Sequence, residues 1–248
     1  MSTISKKDVF NDTTLNIFTD ASITRINNYY QTDSNYFISC PGCVSLIREE
    51  VVDLKYDILK DCTNNRGEIY AILLAINSIV KLLPLHPEIQ TINIYSDSKI
   101  SVYGLREWIF KWTVEDNRLI NSSGKSVANQ DIFLPIIYSI MQLQLNVSIF
   151  HLNGHVSYDS PKQRYDFITS FRENNLIPNF LSNDLVDILI NYNNYIDKFT
   201  RDQLTEIGVL EDYLFPLITY YHKFDKGLYK QYLTNYDNSF FKRSQTSY

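Results

Sequence analysis

At 248 residues, 44% hydrophobic and 21% charged, the chain can bury a real core, either as one globular domain with an extension or as one domain and a small second one. It shows no basic-then-apolar start and no apolar run near the roughly 18 residues of a bilayer span, which excludes a membrane helix and predicts a soluble, cytoplasmic protein. Three cysteines, Cys40, Cys43 and Cys62, exclude a disulfide framework, and a net charge of -5 argues against broad adhesion to nucleic acid, although a basic stripe or a cation-filled acidic site can still meet phosphates.

Residues 1–13 are polar and lysine-bearing without periodicity and read as a flexible, frayed leader. Over 15–22, Leu15, Ile17 and Thr19 alternate with Asn16, Phe18 and Asp20, the pattern of a strand. Asp20 either opens a turn or is buried at the strand end, where a carboxylate needs a pairing partner, a proton or a cation. Residues 23–34, rich in Asn, Tyr and Thr, read as a loop. Residues 36–40 and 44–47 read as one strand broken by a turn at Pro41-Gly42. Arg48-Glu49-Glu50 then forms a hairpin loop into 51–59, completing three antiparallel strands. Cys40-Pro41-Gly42-Cys43 has the spacing of half a zinc or redox site, but only Cys62 and four scattered histidines could complete it. Two small apolar residues beside a turn is the simpler reading.

The run Cys62-Thr63-Asn64-Asn65-Arg66-Gly67-Glu68 leads into a helix in which Ile69, Ile72, Leu73, Ile76, Val80 and Leu83 recur at helical spacing, closed by Pro84 and Pro87. Glu68 shares the apolar face, so it either offsets the helix dipole or meets the sheet that carries Asp20. Thr63, Asn64 and Asn65 bring hydroxyl and amide groups suited to a sugar-phosphate backbone or base edges. Residues 89–95 form the next strand, with Ser96-Asp97-Ser98 at its carboxyl end and a helix carrying Leu105, Trp108, Ile109 and Trp112 along one face. Strand, acidic turn, helix is the layout of an α/β active site, with Asp97 a working group or a helix N-cap. The tryptophans are core or, where exposed, a flat surface for sugars and bases. A polar loop at 121–128, a helix over about 129–143 and a fifth strand at 146–152 then deliver Asn153-Gly154-His155-Val156-Ser157. His155 is a surface histidine or a group placed for proton transfer.

The order of these stretches, Phe18-Thr19-Asp20, Thr63-Asn64-Asn65-Arg66-Gly67-Glu68, Tyr95-Ser96-Asp97-Ser98, Trp108 and Trp112 with Asn129-Gln130-Asp131, then Gly154-His155, resembles type 1 ribonuclease H over residues 14–204. The resemblance implies an α/β, ribonuclease H-like catalytic domain: a mixed five-stranded sheet, three antiparallel strands then two parallel, flanked by helices. It implies a metal-dependent hydrolase that cuts the RNA strand of RNA/DNA hybrids, leaving 5′-phosphate and 3′-hydroxyl ends. Four carboxylates would hold two magnesium ions, with manganese as a substitute, and Asp20, Glu68 and Asp97 are three of the four. The family's fourth Asp lies shortly beyond the His, where Asp166 stands. Asp197 fits the local pattern better, because Asn193, Asp197 and Arg201 share one helical face while Leu189, Tyr192, Ile196 and Phe199 supply the apolar side. Choosing Asp197 creates a helical insertion at 158–183, expected to border the cleft as a lid or a substrate-facing surface.

By the same resemblance, one ion between Asp20 and Asp197 would activate water, and another, shared by Asp20, Glu68 and Asp97, would stabilise the departing 3′ oxygen. His155 would pass a proton or help product leave. Thr63, Asn64, Asn65 and Lys99 would bind substrate, and Trp108 and Trp112 would pack on the DNA sugars. The implied partner is the hybrid, recognised through its 2′-hydroxyls, with no membrane and no obligatory protein partner. Two departures stand out: Ala21 and an Asn/Tyr-rich loop replace the family's glycines, and the basic handle after the tryptophan helix shrinks to Lys125. Residues 205–248, rich in Tyr and Phe, read as a helical extension packed on the domain, or as a stacking surface with Lys226, Lys230, Lys242 and Arg243. A DNA nuclease of transposase type on the same fold, and a hybrid-binding module without turnover, are the rival readings.

Overall fold

A computed structural model describes residues 2–26, 36–116, 118–157 and 159–207. In chain order its elements are β1 (Thr3–Ile4), α1 (Lys6–Val9), β2 (Thr14–Ile26), β3 (Tyr36–Ile47), β4 (Glu50–Tyr56), β5 (Leu59–Lys60), α2 (Asn64–Leu82), β6 (Thr91–Ser96) and α3 (Lys99–Arg106). After a 3-10 turn at Trp108–Lys111 come β7 (Thr113–Glu115), β8 (Arg118–Ile120), α4 (Gln130–Gln142), β9 (Asn146–His151), α5 (Pro161–Asn174), β10 (Phe180–Leu181) and α6 (Asn183–Ile207). The main sheet has the order β4-β3-β2-β6-β9, with β5 beside β3 as a short sixth piece. β2, β3 and β4 are antiparallel, and β6 and β9 run parallel to β2. This is the mixed α/β sheet read from the sequence. No helix among the described residues is long and apolar enough to cross a membrane.

Alternation along β2 divides the core. Leu15 and Ile17 join Ile92, Ile94 and Ile149 under α2, α3 and α4, with Ile72, Ile76 and Ile136 facing them. Phe18 lies on the other side with Val44, Leu46 and Tyr95, covered by Phe167 and Phe171 of α5 and by Leu189 and Ile196 of α6. Helices therefore cover both faces of the central strands, while the edge strand β4 leaves Val51, Leu54 and Tyr56 exposed.

Several expected elements take a different form. Residues 1–13 are not frayed where described: β1 pairs in parallel with β10, and Phe10 is buried beside the α5 and α6 residues of the second core. The Asp8 carboxylate accepts from the backbone N–H and the hydroxyl of Ser5, both at 2.7 Å, and buried Asn16 donates to the Val9 carbonyl at 3.0 Å. β2 runs on to Ile26 instead of yielding to a loop after Ser22. Pro41-Gly42 is no turn: β3 is continuous, with Ala21 opposite Pro41 and Asp20 opposite Gly42. The Pro41 carbonyl accepts from the Asp57 N–H at 3.0 Å, so the proline nitrogen, on the same side of the strand, faces away from β2 and costs that pairing no donor.

The helix expected to carry both tryptophans ends at Arg106, and the following 3-10 turn rotates them apart. Trp112 is buried edge-on to Phe133, with ring centroids 5.2 Å apart, while Trp108 is 38% exposed. The 158–183 segment packs Phe167 and Phe171 into the core and hands β10 to β1. The 205–248 extension lies outside the described residues from 208 onward.

Candidate active site

β2 and β6 pair in parallel as far as Thr19 opposite Ser96, so Asp20 and Asp97 leave the same end of the sheet side by side. Glu68 comes from above, in the first turns of α2. Gly67 makes that approach feasible, because a Cβ there would lie 2.2 Å from Ser39 Oγ and 3.1 Å from the Ala21 Cβ. One oxygen from each of Asp20, Glu68 and Asp97 lies within 4.8 Å of the others.

α6 closes the other side. Its Thr200 hydroxyl lies 2.9 Å from Ser22 Oγ and 3.4 Å from Asp20 Oδ2, which fixes the helix against β2. One turn earlier, buried Asp197 accepts from Arg201 Nη2 at 2.6 Å and stands 3.3 Å from His155 Nδ1. Asp20, Glu68, Asp97 and Asp197 together line a cleft of about 590 Å³, joined by Asn64, Asn65, Lys99, His155 and Arg201. Asp166 is exposed on α5 and does not line this cleft, and neither does any described residue of the 158–183 segment. That segment therefore forms no lid over the acids: its aromatic face is spent on the core.

The other predicted groups divide. Thr63 accepts from the Arg66 N–H at 3.3 Å and so caps α2, outside the cleft lining, while its neighbours Asn64 and Asn65 face in. Arg66 forks onto Asp131 at 3.0 and 2.5 Å and reaches Asn129 Oδ1 at 3.2 Å, tying α2 to α4. Ser98, not Asp97, caps α3, accepting from the Ser101 N–H at 3.3 Å, which leaves the Asp97 carboxylate unspent. Gly154 passes so close to that carboxylate that a Cβ would sit 2.2 Å from Oδ2. His155 follows with a left-handed backbone, φ 54°, and a side chain 73% exposed. Trp108, Trp112 and Lys111 line a second cavity of about 430 Å³, although Trp112 gives most of its surface to the core. Cys40, Cys43 and Cys62 are buried free thiols, and burial pushes Cys40 and Cys43 up to about 12, which removes thiolate chemistry near neutrality.

The acids bear the mark of mutual confinement. Burial, then repulsion from Asp97 and Asp197, pushes the Asp20 carboxyl up to about 7. Burial also pushes Glu68 well above the usual carboxylate range, with Asp20, Asp97 and Asp197 adding to it. Asp97 is raised chiefly by burial, against a lowering pull from His155. Glu68 Oε2 is buried with no hydrogen-bond partner among the described residues. Packed carboxylates with an unsatisfied oxygen fit a hard divalent cation, and an all-oxygen donor set favours magnesium or manganese over zinc.

Sequence reasoning passed over Thr200 and a polar group formed by buried His151 and Asn175 with half-buried Asn174. It placed Asp197 and Arg201 on one helical face but did not name their ion pair.

Comparison with known proteins gives a consistent picture. A family model described as RNase H matches residues 12–170. The ribonuclease HI of Haemophilus influenzae (strain ATCC 51907 / DSM 11121 / KW20 / Rd) is 37% identical over 84 residues, 34% of this chain and 49% of that protein. The chain thus spans about half the length of the curated relatives it matches. Among solved structures, the foamy viral protease-reverse transcriptase in complex with RNA/DNA hybrid aligns with a TM-score of 0.46 at 18% identity, over 61% of this chain and 18% of that one. LC11-RNase H1 in complex with RNA/DNA hybrid aligns with a TM-score of 0.39 at 15% identity, over 56% and 85%.

Proposed function

The chain belongs to the RNase H family, and from that premise we propose that it is an endoribonuclease hydrolysing the RNA strand of RNA/DNA hybrids, leaving 5′-phosphate and 3′-hydroxyl ends, with two divalent cations, magnesium or manganese, held by Asp20, Glu68, Asp97 and Asp197. The observation that carries this reading is the meeting of four acids from four separate elements in one cleft, three of them with oxygens within 4.8 Å. Such a cluster is unfavourable for a protein that holds no cation there, since each carboxylate raises the proton affinity of the next.

Bound divalent cations would offset the acids' charge, make an attacking water more acidic and stabilise charge on the departing oxygen. The remaining work falls to the chain's own groups. Asp20, central in the cluster and 6% exposed, is held rigidly by strand pairing with Gly42. Lys99 and Arg201 bring positive charge to the same cleft and so reduce the repulsion that a phosphodiester would meet. Asn64 and Asn65 present amides at the start of α2, where they can bond sugar and phosphate oxygens, 2′-hydroxyls included. His155 Nδ1, beside Asp197 Oδ2 and open to solvent, can move a proton between that carboxylate and water. Trp108 offers the more exposed ring for packing against the DNA strand, while Trp112 is held against Phe133. Three free thiols accord with work in the cytoplasm.

The test is cleavage of a labelled hybrid and of duplex DNA in magnesium, with the cut positions mapped. Asp20→Asn and Asp97→Asn should each lower turnover by at least about 10³-fold while leaving the far-ultraviolet circular dichroism intact. Asp197→Asn should do the same and Asp166→Asn should not. Full activity in Asp20→Asn or Asp97→Asn would reject the site, and preference for duplex DNA would move the chain to another class of nuclease.

A further inference from the structure

Asp97 occupies the loop between β6 and α3, where the Ser98 N–H bonds Ser96 Oγ across it at 3.1 Å and the Ser98 hydroxyl caps α3, bonds that leave the Asp97 backbone carbonyl untouched. That carbonyl is instead met at 3.1 Å by Nε2 of His151, which is 2% exposed at the end of β9. A carbonyl only accepts, so Nε2 carries the proton and Nδ1 is left as an acceptor. Asn174 Nδ2 fills that acceptor at 3.0 Å and donates its other hydrogen to Ser170 Oγ at 2.8 Å, while Asn174 Oδ1 accepts from the Tyr103 hydroxyl at 3.1 Å. Each donor meets an acceptor, and the amide and the imidazole have one consistent orientation. Asn175 completes the clasp: Oδ1 accepts from the His151 backbone N–H at 2.8 Å and from Arg106 Nη1 at 2.8 Å, and Nδ2 donates to the His151 carbonyl at 2.8 Å. The Tyr103 ring lies over the imidazole, with centroids 6.1 Å apart and planes inclined by 21°.

We propose that His151 is a positioning residue for the Asp97 carboxylate, and that the 158–183 segment serves the active site from behind, through Asn174 and Asn175 at the end of α5. This rests on the reading of Asp97 as a cation-binding acid. A carboxylate in a loop holds a cation well only if the loop does not wander, and a bond to its backbone from a fully satisfied buried ring limits that motion. The path runs from α5 through the Asn174 amide and the imidazole to the Asp97 carbonyl.

Three variants of the full chain test it, His151→Phe, His151→Gln and Asn174→Ala, with kcat and KM measured on hybrid and Mn2+ binding measured by titration calorimetry. Phe keeps the ring and removes both nitrogens, and Gln keeps an N–H donor at similar reach. His151→Phe should lower kcat and Mn2+ affinity by about 10- to 100-fold with KM for hybrid unchanged. Gln should restore most of both, and Asn174→Ala should fall between. A folded His151→Phe with wild-type kcat and cation affinity overturns the proposal, as does Gln performing no better than Phe. If His151→Phe does not fold, wild-type values in Asn174→Ala overturn it equally. Asp97→Asn separates the two levels: retained Mn2+ binding and cleavage there sinks the site itself, whereas an inactive Asp97→Asn beside a normal His151→Phe sinks only the positioning role.

Discussion

Gly154 and Gly67 solve different problems, although both are close approaches. At Gly67 the neighbours are the Ser39 and Ala21 side chains beneath α2, so an added methyl has to lift the helix from the sheet. At Gly154 the neighbour is the Asp97 carboxylate, which can rotate away, but only by leaving the position that makes it useful. Gly67→Ala should therefore cost about 1–3 kcal/mol in urea unfolding. Gly154→Ala should leave the urea midpoint close to wild type and lower kcat by about 10²-fold. Near-equal unfolding midpoints for the two would contradict this division. At this scale the cleft lining was legible in part: the resemblance implied Asp20, Glu68, Asp97 and a fourth acid past His155, and the cleft holds those three with Asp197, preferred to Asp166 for its helical face. Thr63 shows the ambiguity of such a position: a Thr just before a helix fits a cap as well as a substrate contact, and here its hydroxyl accepts from the Arg66 N–H at 3.3 Å.

Among the elements, long strands and helices announced themselves through period, and the shortest ones did not. β1 and α1 span two and four residues, too few to show any periodicity, and β1 acquires structure from partners far along the chain, Phe180 and Leu181. Phe10 anchors them in the second core, so Phe10→Ala should destabilise the fold by about 3 kcal/mol in denaturant unfolding, where a frayed leader would show no change. Pro41 misled for a different reason. A proline inside a strand usually marks a break, but here its nitrogen faces the gap where β4 gives way to β5, and nothing in the sequence says which way it turns. The tryptophan helix misled because Trp108, Ile109 and Trp112 do recur at helical spacing. Their separation depends on the 3-10 turn after Arg106, beyond which Trp112 packs edge-on against Phe133 of α4.

For the molecule as a whole, the acid cluster links stability to pH and to cations. The folded Asp20 holds its proton up to about 7, against 3.8 when free, so the folded state binds more protons between those values. By linkage its contribution to stability is complete below 3.8 and is lost as pH rises through about 7, and the raised Glu68 and Asp97 act in the same direction. His151 acts oppositely: burial lowers it from 6.5 to about 4, so its contribution is complete above 6.5 and is lost as pH falls through about 4. Above pH 6.5 His151 no longer opposes the acids, and the buried Cys40 and Cys43 thiols join them in the same direction only as pH nears 9. In EDTA the melting temperature should fall as pH is raised from there into the mildly alkaline range, and millimolar magnesium should flatten that slope. A flat profile in EDTA would show that burial and mutual repulsion do not hold these carboxyls above their free values.

α6 is at once the cover of the second core and the bearer of Asp197, and this joins two events in the life of each copy. A ribosome that has released only the first 182 residues has supplied every strand of the main sheet, yet Phe18, Val44 and Leu46 still lack that roof and the cleft has three acids instead of four. Such a nascent chain leaves apolar surface uncovered and is prone to stick. The fourth acid of the cleft and the cover over Phe18, Val44 and Leu46 therefore arrive together, carried by one helix.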